Sequence, residues 1–300
     1  MGKITKDSLG DRQKQYEISS ETQLVPKMPI IIRIDGKAFH TYTRGMVKPF
    51  DEILGKCMKK TMQALCKEVH TCVFGYTQSD EITLVLKLPD RIRSQAYMNR
   101  RAQKIVSLTA SKATRYFNKF FTEEFEKFVS YNKQKSLALV RAISKYGVDS
   151  EEVKRLESQT DLESDKLYKV YNKKLGEAEF DSRVFNVPEW DCINNIIWRQ
   201  QDAIRNSVEM VGHVHFSANQ LHKVNVEGIK SMLKEQKGID WEKDFTTYQK
   251  RGACCYKVAE EKIGKNGQKV LRGRWKTDED MPIIQENREW FREVTGLSED

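Results

Sequence analysis

The stretch Ile31-Ile-Arg-Ile-Asp-Gly-Lys-Ala-Phe-His40 gives the first indication of how this chain folds. Aliphatic residues run up to Asp35-Gly36, which is the pattern of a buried strand that ends with a carboxylate at its exposed tip. A second stretch, Gly75-Tyr-Thr-Gln-Ser-Asp-Glu-Ile82, joins two β-rich runs and puts Asp80 and Glu81 at the start of the returning strand. Two aspartates that face each other from different strands can share divalent cations. The sequence therefore predicts a metal site formed by Asp35 and Asp80.

The segments around these two stretches alternate between strand and helix patterns. Leu54, Met58, Met62 and Leu65 follow a 3.6-residue period, which predicts an amphipathic helix that Asp51 can cap. The predicted elements are a strand at 30–35, a helix at 51–69, a hairpin at 72–76 and 82–88, a helix at 93–121 and a strand at 181–187. This β-α-β-β-α-β order is the ferredoxin-like arrangement, an α+β fold in which an antiparallel sheet carries both helices on one face.

The remaining segments are expected to surround this core of residues 28–121 and 181–188. Residues 1–27 form an N-terminal extension in which Tyr16 is expected to anchor a short helix on the body. Residues 122–180 read as an inserted helical arm, either a solvated charged helix pair or an arm that contacts RNA or bridges subunits. Residues 189–300 are expected to add helices and a β-hairpin turning at Asn266-Gly267, which complete the site.

Composition favours a polyanionic partner. The 300 residues include 52 Lys and Arg against 43 Asp and Glu, so the net charge is +9 at pH 7. No window approaches the roughly 20 apolar residues of a membrane span, and no secretory signal is evident, so we expect a cytoplasmic protein without a membrane partner. Six scattered cysteines without a C-x-x-C pair indicate neither a disulfide framework nor a zinc site.

Two further groups of residues have simpler interpretations. His213 and His215 alternate along a segment predicted to be extended, and with His222 they could ligate a metal, but ordinary packed or surface histidines explain them better. Trp198 could stack on a base, although packing at the rim of the core is the favoured role.

Four stretches occur together in the order found in the tRNA-histidine guanylyltransferase superfamily, which the chain resembles. They are Ile34-Asp-Gly-Lys-Ala-Phe-His40 followed by Lys48-Pro49, Gly75-Tyr-Thr-Gln-Ser-Asp-Glu81, Phe180-Asp-Ser-Arg-Val184, and Trp198-Arg-Gln-Gln-Asp202 followed by Arg205-Asn206. The resemblance implies a polymerase-type palm that adds nucleotides to a tRNA 5′ end in the 3′-to-5′ direction. Substrates would be tRNA, ATP and GTP, two Mg²⁺ ions would assist, and the subunits would form a homo-oligomer, a tetramer in related proteins.

The resemblance also implies a role for individual residues. Asp35 and Asp80 would hold the two Mg²⁺ ions, the Gly36 carbonyl would complete one coordination shell, and Glu81 would support the second carboxylate in catalysis. The nucleotide would be bound by these residues and by their neighbours Lys37, Ala38, Phe39, His40, Lys48 and Ser79. A second group would contact the triphosphate or the RNA: Arg100, Arg101, Lys104, Arg183, Arg199, Asn206 and Arg251. A loose phosphoryl-transfer transition state needs positioning and charge neutralisation, so no covalent nucleophile is required.

One departure from the family pattern bears on specificity. Members dedicated to tRNA-histidine carry a His-Ile-Asn-Asn run after the Trp-Arg-Gln segment, whereas this chain reads Ala203-Ile-Arg-Asn-Ser207. It therefore looks more like the bacterial, archaeal and phage-type relatives that repair truncated tRNA 5′ ends against a template. Two other hypotheses remain open: a cyclase-like palm that makes cyclic nucleotides, and a non-catalytic tRNA-binding protein.

Overall fold

A computed structural model describes residues 8–88, 94–157, 162–263 and 268–298. Its strands are β1 (Ile30–Gly36), β2 (Cys72–Gln78), β3 (Glu81–Leu86), β4 (Phe180–Asn186), β5 (Ala253–Ile263) and β6 (Lys269–Asp278). They form one antiparallel sheet in the order β4-β1-β3-β2-β5-β6. The longer helices are α1 (Leu9–Ser19), α3 (Glu52–Glu68), α4 (Ala102–Tyr146), α6 (Leu162–Asn172), α7 (Cys192–His215), α9 (Val226–Lys237) and α12 (Arg288–Thr295). The shorter ones are α2 (Phe39–Tyr42), α5 (Glu151–Glu157), α8 (Ala218–Leu221), α10 (Trp241–Asp244) and α11 (Thr247–Arg251).

The β1-α3-β2-β3-α4-β4 order confirms the predicted ferredoxin-like unit. Side chains alternate between the faces of a strand, so Ile32 and Ile34 of β1 pack with Met62 of α3 and Phe117 of α4. Asp51 caps α3 as predicted, since its carboxylate accepts the Leu54 amide at 2.9 Å. Both palm helices therefore lie on one face of the sheet.

The opposite face of the sheet is also covered, which the sequence analysis did not predict. Ile31 of β1 and Phe74 of β2 pack against Ile196 of α7 and Phe291 of α12. Burial on both faces explains why β1 and β3 are apolar over nearly their whole length. The predicted C-terminal hairpin extends the same sheet, because β5 pairs with the edge of β2. Its turn residues Asn266 and Gly267 lie outside the described residues.

Helix α4 runs much further than the predicted 93–121. Phe117, Phe121 and Phe125 keep a helical spacing across the predicted end, and no Gly or Pro occurs between Ala102 and Gly147. The first half of the 122–180 segment is therefore a continuation of the palm helix. Phe125 and Tyr171 from this segment are buried in the main core, so it is not a wholly solvated arm.

The N-terminal segment forms a helix as expected, but the role predicted for Tyr16 is wrong. Tyr16 is 69% exposed, and no residue of α1 is buried. The apolar residues of α1 are too few to form a continuous stripe that could bind the body. The contact with the body comes later, where the Leu24 amide donates to the Arg100 carbonyl at 2.9 Å. Among the described residues, no helix has the length and apolar character of a membrane span.

Candidate active site

Two carboxylates lie at neighbouring strand ends. Asp35 is opposite Glu81 in the β1–β3 pairing, and the Gly36 amide donates to the Asp80 carbonyl at 3.1 Å. Ser79 adopts a φ of 47° in the turn that joins β2 to β3, which carries Asp80 back beside the end of β1. The structure thus brings together the two aspartates that are far apart in sequence.

The environment of this pair suits a divalent cation. Burial raises the pKa of Asp80, and the neighbouring charge of Asp35 raises it further, whereas the Ser79 hydroxyl donates to Asp80 at 3.0 Å and acts in the opposite direction. Within the described ranges, neither aspartate forms an ion pair with a basic side chain. Two half-buried carboxylates without a basic partner repel each other, and a bound cation relieves that repulsion.

The composition of the donor set fits magnesium better than zinc. In the part of the chain that the structure describes, no group of three or more His, Cys, Asp or Glu side chains could by itself hold a metal ion. Mg²⁺ usually takes one or two protein carboxylates and completes its shell with water and substrate phosphates. Asp35, Asp80 and the Gly36 carbonyl are the residues that could hold such ions.

Glu81 has a different environment from the two aspartates. Its buried carboxylate accepts a hydrogen bond from Arg199 Nη1 at 3.0 Å, and Arg33 Nε lies 3.0 Å away. Burial raises the pKa of Glu81 even though the two arginines act against that shift. Arg199 also donates to Asp202 at 2.6 Å. Glu81 therefore fixes two guanidinium groups beside the aspartates, and one of them comes from α7 on the far side of the sheet.

A cavity of about 950 Å³ opens at these strand ends. Its walls come from the strand ends, from residues 40–51 between β1 and α3, from α7 and from α11. The predicted site residues that line it are Asp35, His40, Lys48, Ser79, Asp80, Glu81, Arg199 and Asn206. This volume lies at the upper end of the range for small-molecule sites and is sufficient for a nucleoside triphosphate.

The other residues that were predicted to bind the nucleotide do not line the cavity. Phe39 is buried in the core, and a Cβ atom at Gly36 would lie 2.3 Å from its ring, so the close approach requires glycine. Ala38 adopts a φ of 53° at the start of α2. The Lys37 ammonium is 2.5 Å from Glu179, and this contact raises the pKa of Lys37. The side chain of Lys37 thus has a protein partner outside the cavity lining.

Five of the basic residues predicted to contact RNA or triphosphate are not among the residues that line the cavity. Arg100 donates to the Leu24 carbonyl at 3.3 Å, Arg101 pairs with Glu21, and Arg251 Nε donates to the Met281 carbonyl at 3.1 Å. Lys104 and Arg183 are exposed on α4 and on the edge strand β4. The structure does not gather these five residues into one surface with the aspartates.

The cavity also contains residues that the sequence analysis did not assign. Arg33 alternates with Asp35 along β1 and so shares its face of the sheet, a signal that could have identified it. Asp202 ends the Trp-Arg-Gln-Gln-Asp motif and holds Arg199. The prediction of an extended segment at His213 is wrong, because this residue lies in the last turn of α7, whose apolar stripe continues to Val211. His213 lines the cavity.

A ferredoxin-like sheet that presents paired aspartates to a large cavity at its strand ends is the architecture of a nucleotidyltransferase with a polymerase-type palm. The sequence model of the family described as tRNAHis guanylyltransferase (Thg1) matches residues 10–188. The chain belongs to this family, whose members are nucleotidyltransferases.

Solved structures and curated relatives agree with this assignment. A bacterial Thg1-like protein in complex with ATP is 32% identical, with a TM-score of 0.69 and coverage of 97% of this chain and 100% of the other. The same type of protein in complex with GTP gives a TM-score of 0.67. These matches extend across residues 122–180, the segment interpreted from the sequence as an insertion.

Sequence relatives include a viral and a fungal protein. An uncharacterized protein of Acanthamoeba polyphaga mimivirus is 25% identical over 264 residues, which is 85% of this chain and 78% of that protein. The tRNA(His) guanylyltransferase of Candida glabrata is 34% identical over 114 residues, 36% of this chain. That match covers 46% of the fungal protein, less than half of its length.

Proposed function

We propose that this protein transfers guanylyl or other nucleotidyl groups to the 5′ end of a tRNA and thereby extends it in the 3′-to-5′ direction. The observation that carries the proposal is the Asp35–Asp80 pair, which lies without a basic partner among the described residues at one end of a cavity lined by Lys48 and His40. The complexes of the bacterial Thg1-like protein with ATP and with GTP support nucleoside triphosphates as substrates.

The reaction would take place in two displacements. The 5′-phosphate of the tRNA attacks the α-phosphorus of ATP or GTP, which expels pyrophosphate and leaves an activated 5′ end. The 3′-hydroxyl of an incoming nucleotide then attacks the tRNA 5′-phosphorus, which expels the activating nucleoside monophosphate. Both displacements develop negative charge on phosphoryl oxygens, so catalysis depends on positioning and on charge neutralisation.

The residues of the cavity would divide these tasks. Two Mg²⁺ ions, when bound at Asp35, Asp80 and the Gly36 carbonyl, would neutralise phosphoryl charge and favour ionisation of the attacking hydroxyl. Lys48 and His40 would bind the triphosphate from the 40–51 wall, with Ser79 beside it. Glu81 would keep Arg33 and Arg199 oriented toward the same phosphates. The exposed residues Arg101, Lys104 and Arg183, with the partly buried Arg100 and with Arg251, would guide the RNA.

We further propose that the protein repairs truncated tRNA 5′ ends against a template base, instead of serving tRNA-histidine alone. The support is the sequence Ala203-Ile-Arg-Asn-Ser207, which lacks the histidine of the dedicated enzymes. None of these five residues carries an imidazole, so this stretch cannot make the hydrogen bonds that a histidine side chain makes. Assembly into a homo-oligomer is part of the same proposal.

The test is incubation of the protein with 5′-truncated tRNA transcripts, Mg²⁺, ATP and each labelled nucleotide in turn. We expect label at the tRNA 5′ end, with the nucleotide that pairs with the opposing 3′ base incorporated best. Cyclic nucleotides formed from nucleotide alone would support the cyclase-like alternative. Mg²⁺-independent tRNA binding without incorporation would support a non-catalytic binding protein, and either result would overturn the proposal.

A further inference from the structure

One wall of the cavity is a loop that another part of the chain holds from behind. The loop comprises residues 43–51, which connect α2 to α3, and its residues Thr43 and Met46 to Asp51 line the cavity. Behind it lies the segment 167–178, which includes the end of α6 and leads into β4. We call these the 43–51 loop and the supporting segment.

Asp51 is the point at which the 43–51 loop is fixed. One of its oxygens accepts the Leu54 amide at 2.9 Å, and the other accepts the Val47 amide at 3.0 Å and the Tyr171 hydroxyl at 2.6 Å. Asp51 is only 8% exposed. A hydroxyl from the supporting segment therefore completes the environment of a buried carboxylate that closes the loop on itself.

Tyr171 is itself rigidly held. It is 2% exposed, and its ring makes edge contacts with Phe121 and Phe128 of α4 at centroid distances of 6.0 and 5.4 Å. Burial and the negative charge of Asp51 both raise the pKa of Tyr171, so the hydroxyl remains a donor throughout the physiological range. The main core thus fixes the position of the donor, and the donor fixes Asp51.

Further contacts join the same two segments. The Tyr42 hydroxyl, next to the loop, donates to the Lys174 carbonyl at 3.2 Å, and the Lys174 ammonium donates to the Tyr42 carbonyl. Gly45 has a φ of 87°, and a Cβ atom there would lie 3.0 Å from Val170. The supporting segment is therefore fitted closely to the back of the loop at three places along its length.

We propose that Tyr171 is a positioning residue for the nucleotide site, which acts through Asp51 to hold the 43–51 loop, and Lys48 within it, in the shape that receives the nucleotide. This inference rests on the proposed function of the cavity. Tyr171 is not among the residues that line the cavity, so its effect on substrate is transmitted by Asp51. The 122–180 segment would then serve the nucleotide site in addition to any contact with RNA.

The decisive variant is Tyr171→Phe, which keeps the ring in the core and removes only the donor. Loss of a hydrogen bond to a charged group removes free energy that holds the 43–51 loop in place. We therefore expect the nucleotide KM to rise about 5- to 20-fold. We expect kcat and the KM for tRNA to change less than about twofold, because the aspartates and the exposed basic residues are untouched. Tyr168→Phe is the matched control, since Tyr168 is 43% exposed on the same helix, and it should leave all three constants unchanged.

The dissociation constant of GTP, measured by calorimetry in the presence of Mg²⁺, gives a readout that does not depend on transfer to tRNA. If the wild-type protein binds GTP but transfers nothing, the proposed function fails. The inference about Tyr171 can still be tested, because it predicts a higher GTP dissociation constant for Tyr171→Phe. Lys174→Gln, which breaks the contact with the Tyr42 carbonyl, should raise the same constant about twofold to fivefold and serves as a second variant. An unchanged GTP dissociation constant in Tyr171→Phe would overturn the inference. An equal rise of that constant in Tyr168→Phe would overturn it as well. A lower melting temperature together with a lower kcat and higher KM values for both substrates would also overturn it, because that pattern indicates a purely structural role.

Discussion

The Gly36 amide donates a hydrogen bond to the Asp80 carbonyl at 3.1 Å, and this contact ties the end of β1 to the turn before β3. Asp35 precedes Gly36, so the bond places the Asp35 and Asp80 carboxylates at one edge of the sheet. The arrangement has measurable consequences for activity, for metal binding and for stability.

The first prediction concerns the two aspartates. Asp35→Asn and Asp80→Asn should each lower nucleotide addition by about 100-fold or more, because each removes a charge that holds the cations at the reacting phosphates. Far-ultraviolet circular dichroism should show an intact fold. Asp181→Asn is the matched control, since Asp181 lies opposite Asp35 on β4 but is exposed outside the cavity lining. Full activity of either site variant would contradict the assignment.

The second prediction concerns stability without metal. Burial raises the pKa of Asp80, and the nearby charge of Asp35 raises it further, so both disfavour its charged form. Asp80→Asn should therefore raise the melting temperature of the Mg²⁺-free protein by about 2–4 °C, the shift expected for about 1 kcal/mol in a protein of this size. Added Mg²⁺ should stabilise the wild type and not the variant. A lower melting temperature for the variant would show that Asp80 has a stabilising role in the fold.

The third prediction separates Glu81 from the aspartates. Its carboxylate lies between Arg33 and Arg199, so Glu81→Gln removes the charged partner of Arg33 among the described residues and leaves the buried Arg199 with Asp202 alone. Loss of one partner of a buried pair costs about 3 kcal/mol or more of unfolding free energy. Urea denaturation should detect this loss, whereas Glu279→Gln, at the more exposed ion pair with Lys59, should cost less than about 1 kcal/mol. Equal costs would contradict the structural role of Glu81.

The sequence was most informative where the signal was local. The aliphatic run before Asp35-Gly36, the spacing of α3 and its Asp51 cap, and the two arms of the C-terminal hairpin are each encoded within about 20 residues, and all are found in the structure. The ferredoxin-like order follows from those elements. A local signal was also present for α4, because the unbroken Phe117-Phe121-Phe125 spacing indicates that the helix continues beyond residue 121.

The relationships that were not predicted join residues far apart in the chain. Glu81 meets Arg199, Asp51 meets Tyr171, and Lys37 meets Glu179, and in each case more than 100 residues separate the partners. Polar pairing across such distances depends on how helices pack on the sheet, and periodicity does not contain that information. The covering of the second sheet face by α7 belongs to the same class. The roles assigned to individual site residues stay predictions.

The fourth prediction distinguishes the two lysines that were predicted to bind the nucleotide. Lys48 is exposed within the cavity lining, whereas Lys37 pairs with Glu179 outside it. Lys48→Ala should raise the KM for the nucleoside triphosphate about 10-fold through loss of a charge-assisted contact, and Lys37→Ala should raise it less than about threefold. Steady-state kinetics with varied GTP measures both. A larger effect at Lys37 would mean that its contact with Glu179 opens when the nucleotide binds.

The most direct test of the central claim is anomalous diffraction from crystals soaked with Mn²⁺ and a non-hydrolysable GTP analogue. Manganese accepts the same oxygen ligands as magnesium and can be located by its own signal. We predict anomalous peaks from Mn²⁺ ions bound by the carboxylates of both Asp35 and Asp80 and by the nucleotide phosphates. Bound nucleotide with no metal at either aspartate, or with metal at other side chains, would contradict it.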